Sequence, residues 1–89
     1  MSIENLKSIY ISFYEANLAA AEEDYLAYYE SNFAPDSIDL DGLSDPIDVK
    51  EAICHLAEEI YNDTGDEALT REWLINAGGD DELLAMCDL

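Results

Sequence analysis

The chain has almost no positive charge. Its 89 residues include three basic side chains, Lys7, Lys50 and Arg71, and one histidine, His55. So few cations leave no basic patch to neutralise phosphates, so direct nucleic-acid binding is not expected. The same lack makes an anionic lipid surface repulsive. Long apolar runs are missing too. None approaches the roughly 20 residues that a membrane helix needs, and Met1 to Lys7 lacks the basic leader and apolar stretch of a signal peptide. Cysteine is scarce: Cys54 and Cys87 make neither a disulfide framework nor a metal set. They are expected as two reduced thiols, which makes the cytoplasm the expected compartment. Cys54 and His55 are neighbours on a predicted helix and point about 100° apart, so they form no nucleophile–base pair. With no Gly-rich phosphate loop and no zinc motif, the expectation is a protein that is not an enzyme and uses no cofactor.

What the chain has in abundance is acid. Asp and Glu number 22, and the net charge is −19. Such a charge keeps a chain soluble but strains its compact state through self-repulsion. A solvated surface suited to high salt would account for it, and so would disorder. Disorder fits poorly, because 49% of the residues are hydrophobic and six Tyr, two Phe and one Trp are present. That is enough apolar surface for one modest core, in a single domain covering residues 1–89.

Periodicity predicts an all-α fold, a small bundle of three to four helices. The first helix is expected from about Ile3 to Ser31, capped by Ser2, with Leu6, Ile9 or Tyr10, Phe13, Asn17 or Leu18, Ala21, Tyr25 and Tyr28 or Tyr29 along its inner stripe. Asn32 to Ser44 reads as a loop. Ser44-Asp45-Pro46 opens a second helix with Val49, Ile53, Leu56 and Ile60 buried, ended by Asn62-Asp63-Thr64-Gly65. A third element spans Asp66 to Ala77 with Leu69, Trp73 and Leu74 inward. Asp80 caps a last turn through Leu83, Leu84 and Met86. The alternative is α+β, with short strands near residues 8–13 and 72–76.

On this frame the acids fall off the apolar stripes. Glu15, Glu22, Glu23, Asp24 and Glu30 lie on the outer face of the first helix. Asp36, Asp39 and Asp41 lie in the loop. Asp48, Glu51, Glu58 and Glu59 lie on the second helix. Each helical turn exposes about one carboxylate, roughly 5.4 Å from the next. Duplex DNA carries one charge per ~1.7 Å, so a net −19 corresponds to about 32 Å of duplex. Glu–Lys pairs four residues apart, which usually neutralise a solvated face, are nearly absent. Tyr14, Tyr25, Tyr28 and Tyr29 cannot all face one core. Tyr25, Tyr28 and Tyr29 join the acids as a candidate surface for arginine-rich partners, since guanidinium groups stack on rings and pair with carboxylates.

The stretch Ala57-Glu58-Glu59-Ile60-Tyr61 through Thr70-Arg71-Glu72-Trp73-Leu74-Ile75 resembles antirestriction proteins of the ArdA type, which have a helix, an acidic turn and a Glu-Trp-apolar segment. In composition the chain resembles the Ocr-type DNA mimics of phages and mobile elements: acidic, Tyr-rich, helical and nearly free of Lys and Arg. The resemblance implies inhibition of a host defence protein, such as a restriction or CRISPR nuclease complex, by occupying its DNA channel. The implied partner is a basic DNA-binding protein, and a homodimer is compatible with that role. Alternatives are an acidic immunity or chaperone-type protein for a basic client, and a single degenerate EF-hand. Ser37-Ile38-Asp39-Leu40-Asp41-Gly42 with Asp45 and Asp48 matches part of a calcium loop, with Ser at position 1 and Asp at position 12. Asp36-Ser37-Ile38 also resembles the phosphopantetheine attachment triplet of acyl carrier proteins.

Overall fold

A computed structural model describes residues 2–89. Its elements are α1 (Ile3–Ala20), α2 (Glu23–Phe33), a single 3-10 turn at Leu40–Gly42, α3 (Pro46–Thr64), α4 (Glu67–Asn76) and α5 (Asp81–Met86). The fold is all-α. The segments 8–13 and 72–76, which the sequence allowed as strands, lie inside α1 and α4. The period in the first segment is helical: Ile9, Tyr10 and Phe13 turn inward while Ile11 is left outside.

Every helix start except that of α2 is set by a side chain. Ser2 accepts from the Asn5 N–H, Asp45 from Ile47, Asp66 from Leu69 and Asp80 from Leu83. These caps satisfy backbone donors that have no intrahelical partner. At α3 the cap is Asp45, with Pro46 in the first turn where its missing N–H costs nothing. Gly65 ends α3 at φ 67°, a left-handed conformation that a residue without a Cβ adopts freely. Gly78, at φ 108°, does the same after α4.

The predicted single helix from Ile3 to Ser31 is two helices. Ala21 and Glu22 are extended, with ψ 143° and 154°. Two physical reasons account for the break. A continuous helix of that length would run about 43 Å and carry Tyr29 away from α3, where its hydroxyl meets Asp63. A new start also places Glu23 and Asp24 at the positive end of α2, where three successive carboxylates are favoured rather than repelled within a helix. The break lets α2 fold back. The Tyr10 hydroxyl of α1 donates to the Phe33 carbonyl at the end of α2.

One core draws on every helix. Leu6, Tyr10 and Phe13 of α1, Val49, Ile53, Leu56 and Ile60 of α3, and Leu74 of α4 are fully buried. Tyr29 of α2, Leu83 and Leu84 of α5, and Leu40 of the 3-10 turn complete it. At roughly 1.5–3 kcal/mol per buried large apolar side chain, this burial is the dominant favourable contribution to folding. Tyr25 and Met86, expected inward, are 43% and 44% exposed. Among the described residues, no helix is long and apolar enough to cross a membrane.

The two cysteines are bonded. Cys54 on α3 and Cys87 after α5 form a disulfide across 33 residues, with Cα atoms 4.8 Å apart. This corrects the expectation of two reduced thiols. Spacing alone could not show the pairing, because it depends on where α5 docks. Burial of Leu83 and Leu84, with Leu89 packed against the core, brings Cys87 to α3.

Candidate partner-binding surface

Folding sends the acids outward with little exception. Every Asp and Glu is exposed except Glu59, which is half-buried. The expected site residues Glu15, Glu22, Glu23, Asp24, Glu30, Asp36, Asp39, Asp41, Asp48, Glu51 and Glu58 are therefore all available to a partner. Neutralisation is slight. Among the described residues the ion pair within 4.0 Å is Lys50–Glu82, at 3.9 Å, with the Glu82 side chain 83% exposed. A pair that open to solvent contributes little. Lys7 donates to the Asp41 carbonyl at 3.2 Å and so pins the α2–α3 loop rather than a carboxylate.

The tyrosines divide. Tyr25 and Tyr28 are exposed. Tyr29 is buried, contrary to its expected place on the surface: its ring packs against Phe33 and its hydroxyl donates to the Asp63 carboxylate of α3. Tyr14 is also buried. The reason is the break before α2, which turns that helix so that Tyr29 rather than Tyr25 faces α1 and α3.

The structure gathers a subset of the expected residues at the α2–α3 seam. Tyr28 stands beside Glu59, whose carboxylate as hydrogen-bond acceptor holds the Tyr28 hydroxyl proton more tightly than usual, with partial burial and Asp63 acting the same way. Tyr29 is shifted upward first by burial and then by Asp63. Glu22, Tyr25 and Asp63 border one pocket at this seam. On the other side of the outer ridge of α3, Glu51, Glu58, Tyr61 and Glu67 line an open groove of about 560 Å³ that ends at Asp88 and Leu89. Glu15, on α1, is not among the residues lining either. Asp63, Tyr61, Glu67 and Asp88 were not among the expected site residues. Asp63 could have been found as the next outward position four residues after Glu59.

The 37–48 segment does not adopt a calcium-loop geometry. Its carboxylates are otherwise engaged or turned apart. Asp45 caps α3, and Asp39 has a left-handed backbone, φ 52°, with its carboxylate close over Gly42. Among the described residues no group of three or more His, Cys, Asp or Glu side chains is placed to share a metal ion. Ser37 sits in turns, not at a helix start, and donates to the Glu30 carbonyl at 2.7 Å. That is not the setting of the acyl-carrier triplet. His55 is exposed on α3 beside Cys54, whose sulfur is bonded to that of Cys87.

The acids lie on a body measuring 33 × 26 × 16 Å. Its length equals, within an ångström or so, the ~32 Å of duplex that carries the same net charge. No protein-family model, curated protein or solved structure matches this chain.

Proposed function

We propose that this chain is a DNA mimic, a non-enzymatic inhibitor that occupies the DNA-binding surface of a basic partner such as a restriction or CRISPR nuclease complex of a host cell. The observation that supports it best is the fixing of 22 acidic side chains, nearly all fully outward, on one apolar core with three cations in the whole chain. Carboxylates held by helices lose less freedom on binding than those of a flexible acidic tail. A groove lined with Lys and Arg would meet them much as it meets phosphates, releasing the carboxylates' counterions as it does so. The exposed Tyr25 and Tyr28 add faces on which guanidinium groups stack.

The reading places the protein in the cytoplasm with its target. The test begins by capturing the target from host lysate and purifying the pair. Duplex DNA and this chain should then exclude each other from the target, and affinity should fall by orders of magnitude between about 50 and 200 mM salt. A stable ternary complex with DNA would sink the proposal and favour an immunity or chaperone role toward a basic client.

A further inference from the structure

Three helix termini meet around a small pocket. Asn17 and Ala21 come from the end of α1, Glu22 from the start of α2, and Asp63 and Thr64 from the end of α3. Tyr25, Tyr29 and Trp73 complete the wall of a space of about 220 Å³. We propose that this pocket receives a single arginine guanidinium from a basic partner protein. The identity of the partner class rests on the reading above, whereas the pocket's own chemistry is testable without any partner.

Three features point to a cation. Three aromatic rings line the space, and aromatic faces attract cations through their quadrupoles. Glu22 and Asp63 supply carboxylates. The ends of α1 and α3 contribute the negative poles of two helices, and neither has a basic residue in its last turn. The opposing positive pole of α2 is already offset by Glu23 and Asp24 in its first turn. Asn17, only 3% exposed, closes the inner wall, its amide set against the Tyr29 hydroxyl.

Size and shape favour guanidinium. The pocket is smaller than the roughly 300–1,000 Å³ typical of free small-molecule sites, which suits one side-chain head group. A planar guanidinium stacks on rings and forks onto carboxylates, whereas an ammonium is a compact, strongly hydrated point charge.

Trp73 is the only tryptophan in the chain and lines this pocket, so its fluorescence responds to what enters it. The intact protein is titrated at constant ionic strength with N-acetyl-arginine amide, its lysine counterpart and its neutral citrulline counterpart. The expected result is a saturable change with arginine, binding about fivefold weaker with lysine, and no saturation with citrulline. Equal responses to arginine and lysine, or saturation by citrulline, would overturn the assignment. Tyr25→Ala, at an exposed position, should keep the helical content and weaken arginine binding about fivefold. Unchanged affinity in that variant would also overturn it. Loss of the arginine response leaves competition with DNA unaffected, and failure of that competition leaves this titration unaffected, so the two proposals fail separately.

Discussion

Along α3 the inward side chains Val49, Ile53, Leu56 and Ile60 are fully withdrawn from solvent, while Glu51, His55, Glu58 and Asn62 stand in water on the opposite side. The inner face holds the bundle together by close packing. The outer face works against it, because its like charges have few cations to answer them. One helix thus carries both the main source of stability and part of its main electrostatic cost. The difference teaches that fold and surface are largely separable here: acids that neither cap a helix, as Asp45, Asp66 and Asp80 do, nor hold Tyr29, as Asp63 does, can be changed with small effects on folding, whereas core residues cannot.

The sharpest way to break that separation is a cavity inside. Ile53→Ala should lose about 2–5 kcal/mol of unfolding free energy in a urea titration, since the neighbouring helices cannot fully collapse onto the gap. Glu58→Gln on the opposite face should stay within about 0.5 kcal/mol of the parent. Equal losses at the two positions would mean that the outer ridge is also structural.

Next in size is the covalent link between α3 and the segment after α5. The double variant Cys54→Ser, Cys87→Ser should unfold with about 2–4 kcal/mol less free energy, because the closed loop no longer restricts the unfolded chain. Reduction of the parent by dithiothreitol should give the same midpoint. A parent whose urea midpoint ignores the reductant would show that α5 is held by Leu83 and Leu84 alone.

Alkali tests the buried tyrosines against the exposed ones. Burial raises Tyr10 above its ordinary value of 10.0, with Tyr14 adding to it, and burial followed by Asp63 raises Tyr29. Both groups therefore bind their protons more tightly folded than unfolded. Their contribution is complete below pH 10 and is lost as pH climbs through their higher folded values. Absorbance at 295 nm should show Tyr10 and Tyr29 ionising only together with loss of helical ellipticity. Ionisation of all tyrosines in a fully helical protein would contradict the buried placement of Tyr10 and Tyr29.

Most of the frame was legible because the core follows helical periodicity and the caps are short polar residues at fixed offsets. Val49, Ile53, Leu56 and Ile60 announce their helix by spacing alone, as do Asp66 and Asp80 their helix starts. The break at Ala21–Glu22 was not legible. Three alanines favour continuation, and the cause of the break is global: the size of the core and the need to bring Tyr29 back onto α3. Burial of Leu40 within a polar loop, and of Asn17 on a helix, likewise depends on what docks above them. For the surface, sequence marked which residues are acidic but not which meet. The Tyr28–Glu59–Asp63 grouping needs the turn that brings α2 beside the end of α3.

The smallest expected effect tests the cost of the charge itself. Glu59 and Asp63 lie four residues apart on α3, and like charges at that spacing destabilise a helix by roughly 0.2–0.5 kcal/mol. Such terms, repeated over an outward surface with a net −19, should be weakened by salt, since screening at 1 M reaches down to about 3 Å. Sodium chloride, raised from about 50 mM to 1 M, should therefore raise the melting temperature by several degrees. The same salt should abolish binding to a basic target, because carboxylates and target cations are screened alike. If the melting temperature falls with salt, the acids are stabilising the fold, and the separation of inner and outer faces along α3 does not hold. A rise in stability with a loss of binding shows instead that the charge is maintained at a cost to the fold and acts at the surface.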